Sequence, residues 1–356
     1  MLAACLLLFC QKEVPEPPPF AGLIRREFVY EKAPFPECHA STLVESGGVL
    51  QAGWFGGKEE KDPSVGIWTA RRVEGKWTAP QEVATGVQPD GTRLPCWNPV
   101  LFQPIKGDLV LFYKVGPNPS TWWGMVKTSR DHGKTWGPPA RLPTDPSGYG
   151  IVGPIKNKPV ELADGTWLAG CSTEHDGWRV HFERSTDQGK TWASTGPVPM
   201  PDKFGAIQPS ILLRKDGTLQ AVGRTRLPVQ KVFSTTSADG GKTWAPLATL
   251  NLPNPNSGTD AVTLKDGRHL LVYNHTTRGR RPLNVAISDD GLAWNALGTL
   301  EVEPGEFSYP AVIQSADGLV QISYTWKRQK VRVVTLDPRG FEPEPIAANG
   351  RWPVGK

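Results

Sequence analysis

The chain has 356 residues, of which 38 are glycine and 35 are proline, and this frequency of chain-breaking residues excludes a protein built mainly from long helices. Its hydrophobic content of 38% supplies enough apolar material for a large core and excludes disorder as the main state. The formal net charge is +5, from 40 Lys and Arg against 35 Asp and Glu, and the cations form no basic block. We therefore expect no nucleic-acid partner, although a mildly basic protein suits an acidic ligand.

The chain opens with an apolar run at residues 2–10, which is too short to span a bilayer and has the size of the apolar part of an export signal. We predict an exported protein, periplasmic or extracellular, with no membrane span. Cys10 leaves a lipid anchor open as an alternative. The proline-rich stretch at residues 15–19 then forms a stiff spacer. Residues 1–22 are interpreted as export signal and spacer, and residues 23–356 as one folded domain.

A repeated eight-residue motif follows along the chain. The pattern S-x-D-x-G-K-T-W occurs at residues 129–136, 185–192 and 237–244, a shortened copy lies at 288–294, and residues 75–77 resemble an eroded first copy. Between the copies, β-rich apolar runs flank Asp-Gly or Gly-Gly turns, which is a hairpin signal. Four short strands in each unit of about 50 residues are typical of a β-propeller blade.

The apolar strand that opens each unit allows the blades to be counted. Six such strands are predicted, starting at Ala40, Pro99, Pro159, Pro209, Ala261 and Pro310. The predicted fold class is therefore all-β, a six-bladed β-propeller. The sixth unit lacks the repeated motif, so we expect the segment at residues 23–30 to supply its outer strand and close the ring.

Three cysteines lie in the predicted domain, and their spacing fits no metal-binding motif. Cys38 and Cys96 each precede the equivalent strand of consecutive units, so a disulfide between them is an alternative in an exported protein. Buried free thiols are the preferred interpretation for these two residues and for Cys171. We predict neither a metal nor a cofactor.

The repeated motif S-x-D-x-G-x-T-W is the Asp-box, and boxes at this spacing resemble those of the sialidase (neuraminidase) superfamily over roughly residues 24–340. The resemblance implies a six-bladed propeller with BNR repeats. The box itself is expected to be structural, because its Asp and Ser can bind backbone N–H groups of the turn while its Trp packs between blades. Non-enzymatic proteins carry such boxes as well, so function has to be argued from the site.

The starts of the innermost strands are expected to surround one open end of the central channel. At that position each of the six strands carries a polar or ionisable residue, which predicts a convergent polar site. In blade order these residues are His39, Asn98, Lys158, Gln208, Asp260 and Tyr309. Polar residues that simply line a water-filled channel are the alternative interpretation.

The ends of the second strands add further candidates for ligand binding, and cations dominate this set. Arg224 and Arg328 suit a ligand carboxylate, because a guanidinium group presents a planar, bidentate fork. The other candidate substrate-binding residues, taken from both sets, are Arg226, Lys158, Asn98, Glu174, His275 and Trp54. Together they predict an anionic sugar as the ligand.

The resemblance to sialidases implies a tyrosine nucleophile with a partner glutamate, a separate aspartate acid/base and three arginines on the sugar carboxylate. Tyr309 resembles the nucleophile, and Arg224 resembles the arginine of blade four. Gln208 stands where the glutamate is expected, and residues 38–41 replace the motif that carries the first arginine. These departures favour a mechanism other than the standard retaining one.

An alternative mechanism uses Asp260 and His39 as an acid/base pair that activates water or protonates the glycosidic oxygen, with inversion. Gln208 would orient the water, and Tyr309 would stabilise positive charge. The predicted function is an exo-acting glycoside hydrolase, active as a monomer, that releases a terminal acidic sugar such as sialic acid from a glycan. A non-catalytic carbohydrate-binding propeller and a hydrolase or lyase for another sugar, such as a uronate, remain as alternatives.

Overall fold

The computed structural model of the protein describes residues 17–143, 152–175 and 177–356. The apolar run of the predicted export signal lies outside the described residues. Within the described ranges, no helix combines the length and the apolar character needed to cross a bilayer. The helical structure there is a short 3-10 turn at Pro338–Gly340.

The strands form six antiparallel sheets, one for each blade, and their bounds follow in chain order. The first strand, β1 (Leu23–Phe28), belongs to the last blade. Blade one contains β2 (Glu37–Ser46), β3 (Val49–Gly57), β4 (Gly66–Val73), β5 (Lys76–Trp77) and β6 (Gln81–Ala84), and blade two contains β7 (Cys96–Phe102), β8 (Leu109–Val115), β9 (Trp123–Ser129) and β10 (Ala140–Arg141). Blade three contains β11 (Val160–Glu161), β12 (Trp167–Thr173), β13 (Arg179–Ser185) and β14 (Ala193–Ser194), and blade four contains β15 (Ala206–Leu213), β16 (Leu219–Thr225), β17 (Lys231–Ser237) and β18 (Ala248–Pro253). Blade five contains β19 (Asp260–Thr263), β20 (His269–Tyr273), β21 (Leu283–Ser288), β22 (Asn295–Glu301) and β26 (Glu344–Pro345), and blade six contains β23 (Phe307–Gln314), β24 (Val320–Trp326) and β25 (Lys330–Leu336) with β1.

The N-terminal strand closes the ring of blades. β1 pairs antiparallel with β25 and forms the outer strand of blade six. Phe28 in β1 packs edge-on against Trp326 in β24, with the ring centroids 5.3 Å apart. Both the predicted role of residues 23–30 and the six-bladed all-β fold class are therefore confirmed.

The repeated motif forms a fixed turn that packs one blade against the next. In blade four the Ser237 hydroxyl donates to Asp239 at 2.8 Å, and Asp239 accepts the backbone N–H of Thr243 at 2.9 Å. Trp244 then stacks on Phe182 of blade three, with ring centroids 3.7 Å apart and planes 10° from parallel. The structural interpretation of the box is confirmed, because its polar residues bind the turn and its tryptophan packs between blades.

The core consists of apolar layers between neighbouring blades, and the three cysteines of the domain lie in or beside these layers. Cys38, Cys96 and Cys171 are all buried free thiols. The preferred interpretation of these residues is confirmed, and the alternative of a disulfide between Cys38 and Cys96 is wrong.

Candidate active site

The inner strands of four blades carry a β-bulge at an equivalent place, and the bulge turns one residue toward the channel. The residues concerned are Ala40, Asn98, Gln208 and Tyr309, with φ of 53°, 39°, 59° and 51°. Lys156 precedes β11 with φ 69°, and it lies as far ahead of its hairpin as Gln208 does. Residues other than glycine rarely adopt this left-handed backbone conformation. Bulges of this kind redirect side chains near functional sites.

The structure corrects three of the six positions in the predicted ring. Counted from the hairpin of each blade, the ring, called the hub ring below, consists of Ala40, Asn98, Lys156, Gln208, Gly258 and Tyr309. His39 lies one residue before this position, and Lys158 and Asp260 lie two residues after it. The apolar pattern does not show which inner strands carry a bulge, so alignment by pattern alone misplaced these three.

Asp260 is an internal link between blades. One of its oxygens accepts the Ser210 hydroxyl of blade four at 2.8 Å. The other accepts the Val312 N–H of blade six at 2.8 Å and pairs with the Lys158 ammonium of blade three at 2.9 Å. Asp260 is 1% exposed. Because both oxygens are occupied by bonds between blades, Asp260 and Lys158 hold the hub together, which corrects their predicted contact with a ligand.

His39 lies against Tyr309, with ring centroids 4.2 Å apart. Arg280 donates to His39 Nε2 at 3.4 Å, so the neutral ring carries its proton on Nδ1. Burial, and then the positive charges of Arg328 and Arg280, hold the pKa of His39 well below its usual range. The ring therefore stays neutral near physiological pH. His39 and Asp260 have separate partners, so the predicted acid/base pair of these two residues does not form.

Tyr309 stands at the centre of a group of cations. Its hydroxyl oxygen accepts a hydrogen bond from Arg224 Nη2 at 3.0 Å. The guanidinium carbons of Arg224 and Arg280 lie 5.4 and 5.5 Å from the centroid of its ring, and Lys156 Nζ lies 5.9 Å from it. Tyr309 is 8% exposed, so a small part of it is open to solvent. Cations in this arrangement favour an anionic ligand and stabilise negative charge that develops on the phenol oxygen.

Acidic side chains orient the arginines at the mouth of the site. Glu306 accepts from Arg280 Nη1 at 2.7 Å and from Arg328 Nε at 3.2 Å. Arg328 also donates to Glu60, which reaches in from the loop between β3 and β4, at 2.6 Å. Although burial opposes the change, the charges of Arg280 and Arg328 hold the pKa of Glu306 below its usual value. Two donor groups of Arg328 are therefore occupied by carboxylates of this chain. Arg280 also donates to Glu306, but its guanidinium group lies against the Tyr309 ring as well.

Glu174 and Trp178 lie beside Arg224. The Arg224 guanidinium carbon is 5.4 Å from the Trp178 ring centroid, and both Glu174 and Trp178 are half-buried. Burial raises the pKa of Glu174, while the charge of Arg224 opposes that rise and the charge of Glu60 adds to it. A carboxyl group with a raised pKa next to the centre of a site is a candidate proton donor.

Two other predicted ligand-binding residues lie outside this cluster. Trp54 is fully buried in the apolar layer between blades one and six, where its ring centroid is 5.1 Å from that of Tyr30. His275 donates through Nε2 to the Gly350 carbonyl at 2.7 Å, which ties it to the C-terminal segment. These two placements correct the prediction. Arg226 is half-buried in the turn after β16, and its role stays a prediction.

Sequence reasoning missed Lys156, Arg280 and Glu306. Arg280 and Glu306 lie in connections between strands, which the repeat pattern does not position. The arginine-rich segment at residues 278–281 is the sequence signal that could have identified a cationic loop there. Lys156 lies two residues before Lys158, and only the backbone conformation distinguishes Lys156 as the residue of the hub ring.

Among the described residues, one cluster offers three atoms that could ligate a metal. Cys171, His181 and Glu183 are fully buried in blade three, with these atoms within 4.8 Å of one another. Glu183 already accepts the backbone N–H of Gly153 at 2.8 Å. Burial lowers the pKa of the neighbouring Lys114 to about 8, and the charges of Cys171 and Glu183 oppose that change. Because a lysine supplies the positive charge here, a metal does not fit, and we interpret the cluster as an internal polar network.

The fold and the repeats define the class: a six-bladed propeller with BNR repeats. Residues 48–322 match the family model described as the BNR repeat-like domain, and the chain belongs to that family. No curated protein matches the sequence.

Solved structures with the same architecture include one of unknown function and several sialidases. A protein of unknown function from Dyadobacter fermentans aligns over 90% of this chain and 99% of its own, with 19% identity and a TM-score of 0.74. The Hadza microbial sialidase Hz136 aligns over 86% of this chain and 66% of its own, with 18% identity and a TM-score of 0.71. The NanB sialidase from Streptococcus pneumoniae aligns over 92% and 72%, with 12% identity and a TM-score of 0.72. At these identities the likeness concerns the fold.

Proposed function

We propose that the protein is an exo-acting glycoside hydrolase that releases a terminal acidic sugar, such as sialic acid, from a glycan. The observation that carries this proposal is the Tyr309 phenol, which accepts a hydrogen bond from Arg224 and has Arg280 and Lys156 beside its ring. A sugar carboxylate placed over this ring would meet two guanidinium groups, and their planar forks suit bidentate carboxylate binding. The apolar run at residues 2–10 supports the further proposal that the enzyme is exported.

Tyr309 is the residue best placed to attack the anomeric carbon. Gln208 stands in the hub ring where the resemblance led us to expect a glutamate, and an amide cannot take the phenol proton. We propose that the proton passes to bulk water as the phenol oxygen attacks, while Arg224 donates a hydrogen bond to that oxygen. The phenolate oxygen then forms a bond to the anomeric carbon while the bond to the leaving oxygen breaks, and that oxygen takes a proton from Glu174. Water, deprotonated by Glu174, releases the sugar with retained configuration.

The test is turnover of a fluorogenic sialoside by the wild type and by Tyr309→Phe. Removal of the phenol oxygen should lower kcat by about a hundredfold or more, because the nucleophile and its stabilised charge are both lost. Tyr113→Phe removes the same atom from a core position of blade two and should leave kcat within about twofold. NMR of the first-formed sugar anomer should show retention. An inverted product, or equal turnover by Tyr309→Phe, contradicts this mechanism.

A carbohydrate-binding propeller without catalysis is the second candidate. Gln208 favours it, because the described hub ring then contains no carboxylate to serve as base beside Tyr309. Calorimetric binding of N-acetylneuraminic acid without turnover of any sialoside would support this candidate. Turnover of aryl uronides in place of sialosides would instead identify a different acidic sugar as the substrate.

A further inference from the structure

Lys156 crosses the centre of the propeller. Its Nζ donates to the Thr259 carbonyl, just before β19 of blade five, at 2.7 Å and to the Pro310 carbonyl in β23 of blade six. Blades three and six face each other across a ring of six, so the side chain spans the channel. Lys156 is 2% exposed, and its Nζ lies 5.9 Å from the Tyr309 ring centroid. The lysine therefore closes the channel next to the proposed nucleophile.

The hydrogen-bonding capacity of this ammonium group is filled by the protein. Asn157 Oδ1 is the third acceptor, at 2.7 Å, and an ammonium group has three donors. Asn157 in turn donates to the Gln208 carbonyl at 2.9 Å, which connects Lys156 to the bulge of blade four. Since no donor is left for a ligand, Lys156 can affect a ligand only through its charge and through the packing that it imposes on the hub ring.

The hub ring leaves space for this side chain at one position. Gly258 is the one hub-ring residue without a side chain, and a Cβ added there would approach Lys156 Cε to 2.9 Å. The same Cβ would lie 3.4 Å from the Tyr309 ring. The glycine of blade five and the lysine of blade three are therefore complementary, and together they fix the position of the charge.

We infer that Lys156 sets the preference of this site for anionic over neutral sugars, as a fixed positive charge beside the Tyr309 ring that touches no ligand atom. This inference rests on the proposed function. Arg280 and Arg328 share Glu306 at the mouth, which offsets part of their charge. Lys156 is bound by uncharged groups, and Asp260, the carboxylate whose charge also acts on it, is paired with Lys158. A buried charge is screened less than an exposed one and acts over a longer distance.

The experiment compares two ligands that differ by one charge. Calorimetry at about pH 6 would measure the affinity for N-acetylneuraminic acid and for its methyl ester in the wild type and in Lys156→Gln. The variant should bind the acid about tenfold more weakly and the ester within about twofold of the wild type. A purely structural role would weaken both ligands alike. An unchanged ratio of acid affinity to ester affinity in Lys156→Gln overturns the inference.

Two further variants complete the test. Gly258→Ala keeps the lysine but displaces its side chain, so the ratio should fall by a smaller factor. If Lys156→Gln does not fold, an unchanged ratio in Gly258→Ala overturns the inference.

Lys265→Gln removes the same charge from the β19–β20 hairpin at the far end of blade five and should leave the ratio unchanged. A wild type that binds neither ligand overturns the proposed function, and the inference with it. A wild type that prefers the acid, with variants that prefer it equally, overturns the inference alone.

Discussion

The left-handed backbone conformation of Tyr309 directs its ring toward the hub. A bulky residue held at φ 51° costs on the order of 1–3 kcal/mol and persists only where its surroundings fix it. Here Ser41 donates its hydroxyl to the Tyr309 carbonyl at 3.2 Å, and the carbonyl of the next residue, Pro310, accepts from Lys156. The strained residue is thus held by blades one and three and carries the proposed chemistry.

The acid-to-ester preference should depend on pH through Lys156. Burial lowers the pKa of this lysine to about 7, partly opposed by Asp260 and reinforced by Lys158 and Arg224. The ammonium is therefore charged below about pH 7 and loses its charge above it, while His39 stays neutral throughout this range. The ratio of acid affinity to ester affinity should fall between about pH 6 and pH 8.5.

Calorimetry across that range provides the measurement, and Lys156→Gln provides the control. Glu174 also lies near the site, and a carboxylate formed there as the pH rises would act on the same ratio in both proteins. The change that belongs to Lys156 is therefore the difference between the wild type and the variant. A wild-type ratio that rises relative to that of the variant would contradict the assignment.

At the scale of the blade, the Asp-box turns join the third strand of one blade to its neighbour through a tryptophan. Trp244 is 8% exposed and stacks on Phe182, which is fully buried. The Thr243 side chain and backbone both donate hydrogen bonds to Asp239, which fixes the turn. The fixed turn directs the Trp244 indole into the layer between blades three and four, where the indole is buried. The boxes therefore stabilise the ring, and their distance from the inner strands leaves the hub unaffected.

Trp244→Ala should destabilise the protein by about 3–5 kcal/mol, because it removes a large buried ring and leaves a cavity between two blades. Urea unfolding followed by circular dichroism would measure the change in the free energy of unfolding. Lys242→Ala, at an exposed position of the same turn, should change it by less than about 0.5 kcal/mol. Equal stability of the two variants would show that the stack contributes little.

Local patterns explain how much of this architecture could be predicted from the sequence. The boxes, the hairpin turns and the closing strand depend on residue types within a few positions, so their prediction was correct. Trp54 was misplaced because successive side chains of a strand point to opposite faces of the sheet. The sequence alone did not show whether its indole lies in the channel or against the next blade. Lys156 was missed because a left-handed conformation of a lysine leaves no signal in the sequence, and Arg280 because its loop follows no repeat.

At the scale of the whole molecule, the site exists only when the ring is closed. Lys156 joins blade three to blades five and six, and Asp260 joins blade five to blades three, four and six. Blade six, which carries Tyr309, receives its outer strand β1 from the opposite end of the chain. The geometry of the hub therefore depends on contacts between residues that are far apart in the sequence.

Deletion of residues 1–29 should open the ring, whereas deletion of residues 1–16 should not. The longer deletion removes β1, exposes the edge of β25 and takes Phe28 away from Trp326. Because blade six would lose one of its four strands, the urea midpoint of the protein should fall. Affinity for the acidic sugar should also be lost, because Tyr309 would no longer be held in position. A synthetic peptide of residues 17–30 should restore both properties by refilling the vacant edge. Identical urea midpoints for the two deletions would show that the ring is closed by the remaining blade contacts and not by β1.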